Sequence, residues 1–158
     1  MLLTTHILIG GALGQMAGNA PAGFTLGVAS HFALDKIPHF DLGIWHKSGK
    51  DYNWGAREWV VVGLDIVATI FVLIFLLPKS IEINFLFGAL GGVSVDLLDN
   101  VPFWKKKFRA TGFGKWFSKF HSCSHFKKSE WLMRYKWLAL LGQIAIIGLI
   151  FGLIKSKI

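Results

Sequence analysis

Two long runs of apolar residues, almost free of charge, constrain this chain more than any other feature. They cover residues 59–77 and 137–154, and each is close to the roughly 20 residues that a helix needs to cross a bilayer. Shorter apolar runs at residues 2–18, 21–35 and 83–98 predict three further helices. The sequence therefore predicts an all-α, polytopic membrane protein, with about five transmembrane or membrane-embedded helices in a single domain.

The distribution of positive charge indicates how these helices are oriented. Of the 17 Lys and Arg residues, 14 fall in the loops on the side of the N-terminus, and the other side holds only Lys79, Lys155 and Lys157. Cytoplasmic loops of membrane proteins carry an excess of Lys and Arg. We therefore expect a multi-pass protein of the cell (inner) membrane with a cytoplasmic N-terminus.

The segment 103–136 interleaves Lys and Arg with aromatic residues. This composition predicts an amphipathic, interfacial loop that lies on anionic lipid headgroups at the cytoplasmic face. A nucleic-acid-binding surface has a similar composition, but the position between predicted membrane helices favours lipid, so no nucleic-acid partner is expected. The candidates for binding a phosphate or a lipid headgroup are Lys105, Lys106, Lys107 and Arg109.

A short internal repeat links the second and fourth predicted helices. Residues 27–38 and 91–102 share Gly, Ser, Leu, Asp and Pro at the same five positions. Each segment ends a helix at an Asp-x-x-Pro sequence, because Pro cannot continue a helix. The pattern is typical of a tandem repeat of a helix pair, and also of two unrelated Gly-rich helices that end in the same way.

Ionisable residues within the apolar helices gather at one predicted depth of the membrane. A charge at the bilayer centre costs roughly 2.5–3.5 kcal/mol, so such residues indicate a functional site. His31 and Asp35 are four residues apart and share a helix face, and His121 and His125 have the same spacing. Imidazole and carboxylate groups are the ligands of zinc and of two-metal hydrolases. The candidate metal ligands are His6, His31, Asp35, His39, Asp99, His121 and His125, and the candidate catalytic carboxylates are Asp96 and Asp65.

Each of these residues also has a structural interpretation. A buried His often hydrogen-bonds to a backbone carbonyl, and an Asp shortly before a Pro is often a cap or a turn residue. The convergence of most of the six His residues with several Asp residues favours a metal site or a proton-handling site.

The motifs resemble those of the YdjM-like family of small membrane-bound metal-dependent hydrolases. The resemblance covers about half of the chain, and the family's acidic Pro-Asp-x-Asp-His stretch has only a partial counterpart at residues 95–99. The matching elements are the N-terminal Thr-Thr-His, the segment 30–35, Pro38 with His39, Asp96, and the pair His121 and His125. The resemblance implies metal ligation by His31, Asp35, His121 and His125, with His6 as the N-terminal His.

We therefore expect a metal-dependent hydrolase that acts on a lipid-like phosphoester at the cytoplasmic membrane face. Zinc is the expected metal, with manganese and iron as alternatives. Two other functions fit the same pattern: a small transporter or proton-handling protein, and a non-catalytic membrane protein that binds lipid or a partner through its basic face. A soluble enzyme is excluded, because the sequence has no Gly-rich phosphate loop, nucleophile elbow or CxxC motif.

Overall fold

A computed structural model describes residues 1–42, 54–76, 82–126 and 134–156 of the chain. Within these residues the fold is helical and contains no strand, which confirms the all-α prediction. A π-helical turn, Val72–Leu76, continues the third helix. The seven α-helices of the described residues are α1 (Leu3–Ala17), α2 (Ala20–Leu34), α3 (Ala56–Phe71), α4 (Ile83–Asn100), α5 (Lys105–Ala110), α6 (Gly112–Ser124) and α7 (Lys136–Ser156).

Five of these helices, α1 to α4 and α7, correspond to the apolar runs of the sequence. In the part of the chain that the structure describes, none of the helices combines the length and the apolar composition needed to cross a membrane. The membrane-spanning part of the prediction is therefore not confirmed. Helix α3 begins three residues earlier than predicted, because the Glu58 side chain accepts a hydrogen bond from the Gly55 backbone N–H at 2.8 Å and closes the first turn.

The segment 103–136, predicted as an interfacial loop, contains two helices, α5 and α6, while residues 127–133 lie outside the described part of the chain. Thr111 lies between the two helices. Its hydroxyl accepts a hydrogen bond from the Gly114 backbone N–H at 3.0 Å and so caps α6. A helical signal was present in the sequence, because Phe113, Phe117 and Phe120 recur at three- and four-residue spacing.

A tight corner joins α1 to α2. Gly18 adopts a left-handed conformation with φ of 73°, which glycine tolerates without steric cost and which ends α1. Asn19 then caps α2, because its side-chain oxygen accepts a hydrogen bond from the Ala22 backbone N–H at 2.9 Å. The two helices consequently pack against each other, and both pack against α4.

Helices α1, α2 and α4 approach one another along a line of glycines that we call the glycine seam, formed by Gly10, Gly14, Gly27, Gly88 and Gly92. A β-carbon at Gly88 would collide with the carbonyl oxygen of Gly10 and lie 2.7 Å from the α-carbon of Gly14. A β-carbon at Gly27 would collide in turn with the carbonyl oxygen of Gly88. The three helices therefore meet backbone to backbone, which brings the polar residues near their ends into contact.

Helices α3 and α7 anchor the start of α1 through two polar side chains, the partly buried Asp65 and the buried Gln143. Both carboxylate oxygens of Asp65 are used: Oδ2 accepts from the Leu3 backbone N–H at 2.6 Å, and Oδ1 accepts from the Thr4 hydroxyl at 2.6 Å. The amide oxygen of Gln143, a residue only 1% exposed, accepts from the Leu2 backbone N–H at 3.0 Å. These contacts satisfy backbone N–H groups that a helix N-terminus leaves unpaired.

Candidate metal centre

Seven His and Asp side chains from four helices meet at one end of the glycine seam. Helix α1 contributes His6, and the neighbouring helices α2, α4 and α6, with the residues directly after them, contribute the others. We call this group the His/Asp cluster: His6, His31, Asp35, His39, Asp96, His121 and His125. The cluster joins all but one of the metal ligands predicted from the sequence.

Asp35, which directly follows α2, is the centre of the cluster and is completely buried. Its Oδ2 atom lies 3.1 Å from Nε2 of His31, 3.2 Å from Nε2 of His125 and 3.5 Å from Nε2 of His121. A buried carboxylate is strongly disfavoured unless positive charge or hydrogen bonds compensate it. The Met1 ammonium group, 3.0 Å from Oδ1, supplies part of this compensation, and protons or a shared cation among the imidazoles around Oδ2 can supply the rest.

The Nε2 atom of His121 is close to those of both other imidazoles. Nε2 of His121 lies 3.2 Å from Nε2 of His31 and 3.0 Å from Nε2 of His125. Two ligand atoms that bind one tetrahedral zinc ion at 2.0–2.1 Å are separated by about 3.4 Å. The distances among His31, His121 and Asp35 Oδ2, 3.1–3.5 Å, are those of atoms that could share one ion, and His125 Nε2 lies 3.0 Å from His121 Nε2 and 3.2 Å from Asp35 Oδ2.

The partners of the Nδ1 atoms show which ring nitrogen of His31 and of His121 carries the hydrogen. Nδ1 of His31 lies 2.8 Å from the carbonyl oxygen of Gly92, and Nδ1 of His121 lies 2.9 Å from Oδ2 of Asp99. Carbonyl and carboxylate oxygens only accept hydrogen bonds, so both Nδ1 atoms are donors, and the neutral rings present the lone pairs of Nε2 to Asp35. Metal-binding His residues are typically held in this way by a carbonyl or a carboxylate.

Hydrogen bonding within the cluster is incomplete, although the atoms are close. Oδ2 of Asp35 has no hydrogen-bond partner of suitable geometry, although three imidazole nitrogens lie within 3.5 Å. Ligand atoms that converge without hydrogen bonds of suitable geometry fit a bound cation. Three groups drawn from the cluster have ligand atoms close enough to hold a metal ion: His6, His31 and Asp96; His31, Asp35 and His121; Asp35, His39 and His125.

The pKa values of His121 and His125 are shifted in opposite directions by burial and by the neighbouring carboxylates. Burial alone would lower the pKa of His121, but its contacts with the carboxylates of Asp35 and Asp99 raise that pKa to about 9. Burial lowers the pKa of His125 to about 4, because the attraction of Asp35 is the smaller effect there. The carboxylates around His121 therefore favour positive charge at the position where the ligand atoms meet.

Asp99, predicted as a metal ligand, lies outside the His/Asp cluster and hydrogen-bonds to His121, a member of it. Its Oδ2 accepts from His121 Nδ1, and its Oδ1 accepts from Nε of Arg109 at 2.8 Å. Burial opposes ionisation of Asp99, but these two hydrogen bonds lower its pKa to about 2. Arg109, predicted to bind phosphate, therefore orients a carboxylate that in turn orients an imidazole of the His/Asp cluster.

Replacing Asp99 with Ala is expected to weaken metal binding about 10- to 100-fold, the usual effect of losing a carboxylate that orients a ligand. Asp99→Asn retains a hydrogen-bond acceptor and should lose less. The affinities are measured by competition with a chromophoric zinc chelator. An unchanged affinity in the Ala variant would show that His121 does not need this partner.

Asp65, predicted as a catalytic carboxylate, lies outside the cluster and caps α1. The Asp65→Ala substitution should lower the free energy of unfolding by about 1–2 kcal/mol, as the loss of a helix cap does. Asp65→Asn keeps one acceptor oxygen and should have a smaller effect. Urea unfolding of the metal-free protein tests this prediction, and equal stability of all three proteins would contradict it.

The remaining predicted residues lie in three different environments: the cluster, a buried position outside it, and the surface. His39 lies 3.8 Å from Asp35 Oδ1 and 3.5 Å from Asp41 Oδ2. Lys105 is buried, whereas Lys106 and Lys107 are exposed.

Sequence reasoning missed two groups that support the centre. One is the Gly92 carbonyl, which no residue type could reveal. The other is Asn100, whose side chain donates to Asp96 Oδ1 at 2.6 Å. The four-residue spacing of Asp96 and Asn100 on one helix was a usable signal.

The fold and the site together define an all-helical protein with buried His and Asp groups that could hold a metal ion. In comparisons with known proteins, no family model matches the chain, and no curated protein or solved structure is significantly similar to it. The resemblance to YdjM-like hydrolases therefore stays a prediction based on motifs.

Proposed function

We propose that this protein is a metal-dependent hydrolase of lipid-like phosphoesters at the cytoplasmic face of a membrane. The observation that carries the proposal is the convergence of three imidazole lone pairs on the buried Asp35 carboxylate. The ion would be held by His31, Asp35, His121 and His125. Zinc suits a set of imidazole and carboxylate ligands, and manganese and iron are the alternatives.

A divalent ion at this position would lower the pKa of a water molecule and so supply a nucleophile at neutral pH. The chain places a proton acceptor nearby: Oδ1 of Asp96 lies 3.7 Å from His121 Nε2 and 3.9 Å from His31 Nε2. The Asn100 side chain orients this carboxylate. Asp96 is therefore the best candidate for a general base that accepts a proton at Oδ1.

The accessible edge of the cluster indicates where a substrate approaches. The side chain of Asp35 is fully buried, but that of His125 is 26% exposed and that of Asp96 is 22% exposed. Arg109, with 26% of its side chain exposed, is connected to the cluster through its ion pair with Asp99, and it is the candidate for contacting a substrate phosphate.

A lipid-like substrate is supported by the surface of α6, the helix that supplies His121. Its exposed side chains include Phe113 and Trp116, which are 63% and 61% exposed, together with Lys115 and Lys119. Exposed aromatic and basic residues on one helix are typical of segments that bind anionic lipid surfaces.

The exposed apolar side chains of α3 and α7 also support a location at a membrane. Large exposed apolar patches on a protein indicate contact with another protein or with a membrane. The exposed large apolar residues of these two helices are Trp59, Val60, Leu64, Ile66, Val67, Ile70, Phe71, Trp137, Leu138, Leu141, Ile144 and Leu149.

The test uses detergent-purified protein, metal analysis and a hydrolysis assay on phosphatidylcholine vesicles that contain phosphatidic acid or a polyprenyl phosphate. We expect bound zinc and release of phosphate, both lost in His121→Ala and retained in Cys123→Ser, a change at an exposed position of the same helix. Absence of metal, even after reconstitution, would overturn the metal site. A metal-loaded, folded protein that releases no phosphate from either lipid would overturn the hydrolase function.

A further inference from the structure

His6 is the one member of the His/Asp cluster whose two ring nitrogens both lack a hydrogen bond, although the residue is completely buried. Its ring stacks on that of His31, with 4.0 Å between centroids and 22° between planes. Leaving a buried polar side chain without partners costs about 1–3 kcal/mol in protein mutational data. A side chain in this condition indicates that its partner is a bound ligand or ion.

The two oxygens of the Asp35 carboxylate face different sets of imidazoles. Oδ2 faces His31, His121 and His125, whereas Oδ1 lies 3.4 Å from Nε2 of His6. An imidazole nitrogen has one lone pair and binds one ion, but a carboxylate can bind one ion through each oxygen. A single ion on Oδ2 therefore leaves His6 unaccounted for.

Asp96 completes the arrangement on the side of His6. Its Oδ2 atom lies 4.0 Å from His6 Nε2, while its Oδ1 atom faces His31 and His121. The amino group of Met1 also lies 3.0 Å from Asp35 Oδ1. A carboxylate oxygen has two lone pairs, so this contact leaves one of them for an ion.

We propose that the cluster holds a second divalent ion, bound by His6, Oδ1 of Asp35 and Oδ2 of Asp96, with Asp35 bridging the two ions. This inference rests on the metal site of the proposed function. It extends that function, because two ions that share a carboxylate lie about 3.5–4 Å apart and bind both the attacking and the leaving oxygen of a phosphoester. Two ions therefore fit the phosphoester substrate of the proposed function.

The test compares the full chain with His6→Ala, Asp96→Asn and the control Thr5→Val, after loading with Mn²⁺ alone. Thr5 is fully buried on the same helix and its hydroxyl has no hydrogen-bond partner, so Val fills the same space. Bound manganese is counted by elemental analysis, and its electron paramagnetic resonance spectrum distinguishes a coupled pair from an isolated ion. Circular dichroism confirms that each variant is folded.

We expect two ions per chain and a coupled spectrum in the wild type and in Thr5→Val. His6→Ala should bind one ion with an uncoupled six-line spectrum, a twofold loss of metal. If His6→Ala does not fold, Asp96→Asn, which conserves shape, decides by the same readout. One ion in the wild type, or two coupled ions in a folded His6→Ala protein, would overturn the second site and leave the proposed function standing. No bound ion in any of the proteins would overturn both.

Discussion

Replacing Asp35 with Asn is expected to abolish metal binding, with an affinity loss well above the roughly 100-fold that follows from disturbing an outer partner of a ligand. The reason is that Asp35 is the anion on which the imidazoles converge. The Asn side chain has nearly the same shape but no charge, and its NH₂ group would turn a donor toward one set of imidazoles. Isothermal titration calorimetry with Zn²⁺ measures the loss.

A thermal unfolding experiment gives an independent measure of the same prediction. Metal at 100 times its dissociation constant should stabilise the wild-type protein by about 2.7 kcal/mol, and the Asp35→Asn variant should gain nothing. The matched control is Glu82→Gln, an equivalent change at an exposed residue just before α4. Metal-dependent stabilisation of Asp35→Asn equal to that of the wild type would contradict the central role of Asp35.

Replacing Gly88 with Ala is expected to lower the free energy of unfolding by about 3 kcal/mol, the upper part of the range for overpacking a well-packed core. The added β-carbon would meet backbone atoms of Gly10 and Gly14, which cannot move away as a side chain can. Since α1 and α4 carry His6 and Asp96, separating them should also reduce the amount of bound metal.

The matched control for Gly88→Ala is Gly142→Ala in α7, where a β-carbon would meet no atom within 4 Å. This change should stabilise the protein by up to about 1 kcal/mol, because Ala favours the helix over Gly. Urea unfolding of the two variants therefore gives shifts of opposite sign. Equal shifts would mean that close packing at Gly88 does not matter for stability.

The helices that bear the cluster could be predicted because they follow local rules. The pairing of His31 with Asp35 depends only on four-residue spacing in one helix, and the structure places the two side chains 3.1 Å apart. The same spacing brings His125 within 3.0 Å of His121, although His125 lies one residue beyond the end of α6. Four-residue spacing therefore predicted four of the seven residues of the cluster.

The roles of the carboxylates could not be predicted, because they depend on contacts between distant parts of the chain. Asp65 caps α1 by accepting hydrogen bonds from the backbone N–H groups of Leu3 and Thr4, which lie 62 and 61 positions away in the sequence. Asp99 bonds a His that lies 22 positions away, and this contact turns it from a candidate ligand into a positioning residue. All of these Asp residues stand in apolar surroundings, so composition alone could not separate a ligand from a cap.

The anchoring of α1 has a mechanical consequence for the centre. The backbone N–H groups of Leu2, Leu3 and Thr4 are held by side chains of α3 and α7, two helices that contribute no residue to the cluster. His6 follows within one turn, so its position depends on helices whose outer faces are apolar and exposed. A displacement of α3 or α7 would act on α1 within about one helical turn of His6, whereas His31 and His121 lie on helices that these hydrogen bonds do not hold.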